Sequence, residues 1–331
     1  MSKLIIAEAG VNHNGDLHLA KKMIETASEA GADIVKFQTF VPELVISKFA
    51  SKAEYQKNTT GVQESQLDMV RRYYLSNDEH YELVAHANKC GIEFLSTPFD
   101  LVSINFLKEL NLSYWKIPSG EITNLPYLME IAKTSKPVIM SSGMCTMAEV
   151  KSALNILKEN GAGEVIVLHC NTEYPTPFED ANLRAIQTLK DELGVRTGYS
   201  DHTPGIEAAL AAVALGAVII EKHFTMNKNM EGPDHMASVE PDELVSMVKG
   251  IRNIEKAMGT GIKEPSPSER KNIEIARKSI IAKVDIHKGD VLTEDKIIVK
   301  RPGDGISPML WFDVLGTKAI RDFAEDEKIE I

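Results

Sequence analysis

The sequence predicts an α/β fold, a (β/α)8 TIM barrel followed by a small β-rich domain. Three observations predict it. Eight short runs rich in β-branched residues alternate with stretches of helical periodicity. Polar residues gather at the C-terminal end of nearly every run, and no GxGxxG follows the first. A doubly wound open sheet would instead concentrate its polar groups at one switch point. Finally, a stretch rich in helix breakers precedes a short strand-like C-terminal segment.

The runs are 4–7, 34–38, 93–96, 114–117, 138–141, 165–169, 196–200 and 218–222. After the first, Ala20, Met23, Ile24 and Ala27 recur at helical spacing and stop at Gly31, a good C-terminal cap. Thr146 and Glu149 form a capping-box signature ahead of Val150, Ala153, Leu154 and Leu157. An apolar helix is expected over 208–215 and an amphipathic one over 241–258. The second and third runs are joined by a long connection, 42–66, before a helix at 75–89. Connections of that length in compact domains tend to be functional, and on a barrel this one lies at the catalytic face, so it reads as a lid or a substrate-binding loop. The run GTGIKEPSPS (259–268) marks the boundary. The division expected is a barrel over 1–262, a linker over 263–278 and a small domain over 279–331. A domain of about fifty residues has a thin core and leans on something else.

Composition narrows the function. In 331 residues, 37 basic and 48 acidic side chains give a net charge of −11, with 43% hydrophobic residues. That balance excludes a disordered tail and argues against nucleic acid as the main partner. The three cysteines, Cys90, Cys145 and Cys170, are far apart and odd in number, so neither a disulfide framework nor a zinc knuckle is expected. The N-terminus lacks the apolar core of a signal peptide, and the longest apolar run, 208–220, is too short to span a bilayer. A cytoplasmic protein with no membrane partner is expected.

Barrel enzymes place their chemistry at the C-terminal strand ends. Lys36 and Lys116 stand in apolar runs, where an unpaired lysine is costly. With the hydroxyls of Thr97, Ser119, Ser141 and Ser200 they suit a small phosphorylated carboxylate. His202 and His223 fall just beyond the ends of adjacent strands, which lie about 4.8 Å apart, so they could share a divalent metal. Glu8, Glu121 and Asp234 are candidate acid–base or hydroxyl-binding carboxylates, and spacing does not assign roles among them. Two rival readings exist. The lysines alone would permit a Schiff-base aldolase, and the tail alone would permit a non-catalytic ice- or carbohydrate-binding protein.

AEAGVNHNG (7–15), VKFQTF (35–40), FLSTPFD (94–100), WKIPSGEITNLPYL (115–128), SSGM (141–144), LHCNTEYPTPFED (168–180), YSDHTPG (199–205), IEKHFT (220–225) and GPDH (232–235) together resemble the sialic acid synthase family. That family comprises N-acetylneuraminate synthase and its legionaminate and pseudaminate relatives. RKSIIAK (277–283) and VKRPGDGISP (299–308) resemble its antifreeze-like, or SAF, domain. The resemblance implies condensation of phosphoenolpyruvate with an open-chain 2-acetamido-mannose-type sugar, giving a nine-carbon keto acid and phosphate by C–O cleavage. N-acetylmannosamine is the first acceptor it implies. The alternative is 2,4-diacetamido-2,4,6-trideoxymannose, which would give N,N'-diacetyllegionaminate. It also implies a divalent metal, Mn²⁺ first with Mg²⁺ or Co²⁺ as alternatives, and no organic cofactor. By position, Lys116, Ser119, Ser141 and Ser200 match phosphate-holding residues, and Lys36 and Thr97 match those near the carboxylate. His202 and His223 match metal ligands. Gln38, Glu121, Tyr174, Asp234 and Arg301 match sugar contacts, and Glu8 matches a carboxylate at the reacting centre. A homodimer is implied, with Arg301 of each SAF domain serving the other copy's site. The stretch 55–66, with Asn58, Glu64 and Gln66, is expected to sense the acceptor.

Overall fold

A computed structural model describes residues 2–60 and 64–331, the side chains of Tyr55 and Asn58 excepted. The chain divides into two units, Met1–Gly259 and Thr260–Ile331.

In the first unit, strand β1 (Leu4–Gly10) leads into helix α1 (Leu17–Glu29), and β2 (Ile34–Thr39) follows. The long connection then carries three short helices, α2 (Pro42–Val45), α3 (Glu54–Thr60) and α4 (Gln66–Arg71), ahead of α5 (Asn77–Cys90). The remaining pairs are β3 (Glu93–Pro98) with α6 (Leu101–Glu109), β4 (Trp115–Ile117) with α7 (Leu125–Ala132), and β5 (Val138–Ser141) with α8 (Met147–Glu159). They continue with β6 (Val165–His169) and α9 (Ala185–Leu193), β7 (Thr197–Asp201) and α10 (Glu207–Ala214), then β8 (Ile219–His223) and α11 (Pro241–Ala257). The ladder order is β3-β2-β1-β8-β7-β6-β5-β4, all parallel. β3 and β4 lie side by side at the seam, so the sheet closes into the expected barrel.

Local sequence explains the helices. Asp16 accepts from the His18 and Leu19 amides at the start of α1, whose Ala20, Met23, Ile24 and Ala27 are buried as their spacing predicts. The Thr146–Glu149 capping box forms at the start of α8. Strands β1, β2, β3, β7 and β8 run one to three residues past the runs that the apolar pattern marks. β8 therefore ends on His223, which is a strand residue rather than one beyond it. His202 does lie one residue past β7.

The second unit holds α12 (Pro267–Ala276), the antiparallel strands β9 (Ser279–Ala282) and β10 (Ile297–Lys300), and the single turn α13 (Trp311–Val314). Residues 263–278 are thus not an open linker. Ser266 and Glu269 form a capping box, with Pro267 at the first helical position. Ile280, Ile286, Leu292, Ile297 and Phe323 are among the few residues that form this unit's small core.

Candidate active site

The parallel register brings polar side chains to one level at the mouth of the barrel. Glu8 pairs in register with Lys36 on one side and His223 on the other, and Ser200 pairs with Glu221. Because side chains alternate along a strand, Lys36 and Gln38, Glu221 and His223, and Ser200 all point inward. They line a cavity of about 460 Å³ to which the connection between β2 and α5 also contributes.

Its floor is a charge cluster. Lys36 Nζ lies 2.6 Å from Glu8 and 3.6 Å from Glu221, and it donates to Thr97 Oγ1 at 2.9 Å. Lys116 Nζ lies 3.2 Å from Glu221 and donates to Ser141 Oγ at 2.8 Å. Ser200 Oγ donates to the same Glu221 carboxylate at 2.8 Å. Four charged side chains, all at least 96% buried, therefore balance two against two. Burial opposes ionisation of Glu221, but Lys116 and Lys36 outweigh it and hold its pKa down near 2. Burial pushes Glu8 up to about 7 against the pull of Lys36. Although burial disfavours its charge, Glu221 and Glu8 keep Lys36 protonated, which does not suit an amine nucleophile.

The histidine pair stands beside this floor, with ring centroids 5.4 Å apart. His202 Nδ1 donates to the Asn171 carbonyl at 2.5 Å, so Nε2 is left as the acceptor of a neutral ring. His223 Nδ1 is buried with no hydrogen-bond partner. Burial lowers both pKa values, that of His202 to about 4. Two neutral imidazoles, one with an orphaned buried nitrogen, fit a divalent ion. Among the described residues no group of three or more His, Cys, Asp or Glu could hold one, so the pair would leave its other positions to water or substrate. The Tyr174 ring packs on His202 at 4.1 Å. Gly10 makes room for the group. Its φ is +54°, and a Cβ there would sit 3.3 Å from both Glu8 Oε1 and His223 Cε1.

Twelve of the fourteen residues singled out from sequence line this cavity. Ser119 Oγ accepts from the Gly143 amide at 2.9 Å, and Gln38 Nε2 approaches Glu8 at 3.5 Å. Asp234 is buried, and burial alone raises its pKa to about 7. Glu121 does not line the cavity. It accepts from Asn124 Nδ2 at 2.5 Å near the start of α7. Arg301 belongs to the second unit, where its Nε donates to the Ala276 carbonyl at 3.1 Å. Of the stretch expected to sense the acceptor, residues 61–63 and the Asn58 side chain lie outside the described residues. Glu64 pairs with Lys52 at 2.8 Å, while Gln66 lines the cavity.

Glu221, which touches Lys36, Lys116 and Ser200, is the residue that sequence reasoning passed over. The signal was its spacing of two from His223, which puts both on the inner face of β8. Between them, Lys222 points outward and is fully buried against Asp201 (2.9 Å) and the Thr203 carbonyl (2.5 Å). That pair ties the ends of β7 and β8 from behind.

The NeuB family model matches residues 23–263 and the SAF domain model matches 277–330. The N,N'-diacetyllegionaminic acid synthase of Campylobacter jejuni is 57% identical over 98% of both chains. That of Legionella pneumophila is 46% identical over 96% of this chain and 90% of its own. The crystal structure of N-acetylneuraminic acid synthetase from Leptospira borgpetersenii, in complex with citrate, superposes with a TM-score of 0.72 at 38% identity. That match covers 83% of this chain and 91% of the other.

Proposed function

The chain belongs to the NeuB family and ends in a SAF domain, and from that premise we propose that it is a nonulosonate synthase forming N,N'-diacetyllegionaminate. Its substrates would be phosphoenolpyruvate and 2,4-diacetamido-2,4,6-trideoxymannose. The two legionaminic acid synthases it resembles support this acceptor over N-acetylmannosamine. That reverses the order taken from sequence alone. The observation that carries the reaction class is the buried floor of Lys36, Lys116 and three hydroxyls beside two neutral imidazoles.

In this reading Lys116, Ser119, Ser141 and Ser200 bind the phosphate group, and Lys36 and Thr97 bind the carboxylate. Their fixed positions present one face of the enol to the acceptor. C3 of phosphoenolpyruvate bonds to the aldehyde carbon, water adds at C2, and the bond from C2 to the bridging oxygen breaks, releasing phosphate. A divalent ion, Mn²⁺ in the first instance, held by His202 and His223 would supply Lewis acidity toward the aldehyde. Glu8, with a pKa near 7, can accept the proton of the entering water near neutral pH. Glu221 stays ionised, holds both lysines in place and orients Ser200. Gln38, Tyr174 and Asp234 surround the acceptor's acetamido and hydroxyl groups.

The second unit supports assembly as a homodimer whose SAF domain reaches a second copy's site. Met309 and Phe312 are more than 80% exposed on it, and Phe49 and Met144 are exposed on loops at the barrel mouth. The three unpaired thiols support a reducing compartment, the cytoplasm. Among the described residues no helix is long and apolar enough to cross a membrane.

The test uses phosphoenolpyruvate labelled with ¹⁸O at the bridging oxygen. The label is expected in released phosphate, by ³¹P NMR or mass spectrometry. Label retained in the keto acid would contradict C–O cleavage.

A further inference from the structure

Seven apolar residues form a cluster of their own, apart from the barrel core. Val11, Phe40, Met69 and Tyr73 are buried in it, and Val45, Val70 and Phe99 pack against them. Core clusters normally face inward, yet every member of this one also lines the active-site cavity. Its residues come from two sources. Val11, Phe40 and Phe99 stand on the loops just past β1, β2 and β3, while Val45, Met69 and Val70 come from α2 and α4 of the lid. Among the described residues of 42–73, no charged side chain lines the cavity. Several of the lid's charges pair with one another instead, Glu64 with Lys52 and with Arg72 (2.6 Å), and Arg71 with Glu43. The lid thus turns an apolar wall toward the substrate, with the amides of Gln56 and Gln66 beside it.

The geometry points to this wall as the specificity determinant for the far end of the acceptor, and the inference rests on the synthase reading above. In an open-chain sugar whose aldehyde reacts at the lysine and histidine floor, C4 to C6 are the atoms furthest from that floor. The two candidate acceptors differ only there. One carries a C6 methyl and a C4 acetamido group, the other carries hydroxyls at both positions. A methyl gains by leaving water for an apolar wall. A hydroxyl in the same place loses its water and meets Val45 and Val70, whose side chains cannot hydrogen-bond, and Met69, whose weakly accepting sulfur is already engaged by Thr60 Oγ1 at 3.3 Å. The uncharged amides beside the wall are of the type that pairs with an acetamido group. Val45, Met69 and Val70 therefore select a 6-deoxy, 4-acetamido acceptor. The discrimination expected of such a pocket is on the order of tenfold to a hundredfold in kcat/KM.

The full-length enzyme is assayed with saturating phosphoenolpyruvate and each acceptor. The wild type is expected to prefer the trideoxy sugar by that factor. The Val45→Thr, Val70→Thr double variant keeps side-chain shape and adds two hydroxyls. It is expected to narrow the ratio about tenfold through KM for the trideoxy sugar, with KM for phosphoenolpyruvate unchanged. A comparison needing no variant sets 2-acetamido-2,6-dideoxymannose against N-acetylmannosamine on the wild type, and the 6-deoxy sugar should be the better substrate. Turnover of the trideoxy sugar with a ratio unmoved in the double variant, or no advantage for the 6-deoxy sugar, overturns this inference alone. Turnover of neither sugar by a folded, Mn²⁺-loaded wild type overturns the synthase reading and this inference with it.

Discussion

Charge balance governs the site at the scale of single residues. Two ammonium groups and two carboxylates share a buried volume, and Glu221 touches both lysines. Glu221→Gln would leave Lys36 with Glu8 alone and Lys116 with only hydroxyl partners. Breaking a buried pair in this way costs about 3–5 kcal/mol, so urea unfolding should show a loss of that size together with loss of turnover. A loss under about 1 kcal/mol would contradict the charge-balance account. Asp234 makes a pH prediction. Burial raises its folded pKa to about 7 from an ordinary 3.8, so the folded protein binds the proton more tightly than the unfolded chain. Stability from this group is complete below pH 4 and is lost as pH rises to 7. Asp234→Asn cannot ionise, so its stability relative to wild type should grow over that interval, by at most about 4 kcal/mol. A difference that stays flat from pH 4 to 8 would refute the buried carboxyl. The lysines of this site were legible in the sequence because a charge inside an apolar run has to be explained, and the histidines because they fall together at the ends of adjacent strands. Glu221 stood in the same kind of run but was passed over, since its part depends on distances across the barrel. Glu121 shows the converse, because its position near a strand end says nothing about the Asn124 amide that engages it.

Among the elements, β1 and β8 carry the strictest demands. The ladder slips between Glu8 and Gly10, and Gly10 takes a left-handed φ that brings backbone where a side chain would meet Glu8 and His223. Gly10→Ala should cost about 1–2 kcal/mol in stability for the conformation alone. It should also weaken Mn²⁺ binding in titration calorimetry, because the added methyl crowds His223. Unaltered Mn²⁺ affinity would separate Gly10 from the histidine pair. Most elements were legible, since apolar spacing and caps act locally. The ends of strands were not, because β3 continues through Thr97, whose partner Lys36 lies on another strand, and β8 through His223, which no apolar run marks. Helix α12 was hidden by its own start signal. Ser266 and Pro267 read as breakers, yet serine before a helix and proline in its first position begin one.

For the whole molecule, the unresolved question in the sequence was why a unit of so few core residues should exist. The dimer proposal answers it by giving Arg301 a task in a second copy. Mixing His202→Ala with Arg301→Ala chains under exchange conditions tests this at subsaturating acceptor. Each mixed dimer would hold one site with both residues intact, so activity should exceed that of either parent. Activity no greater than the parents' average would mean that each chain supplies its own Arg301 or needs none. The central claim concerns the reaction itself. Phosphate release from phosphoenolpyruvate by the full-length, Mn²⁺-loaded enzyme is its most direct measure, followed with the trideoxy sugar, with N-acetylmannosamine and with neither. The account predicts release that depends strictly on an acceptor and is fastest with the trideoxy sugar. Release at the same rate without any sugar, or none with either, would contradict it.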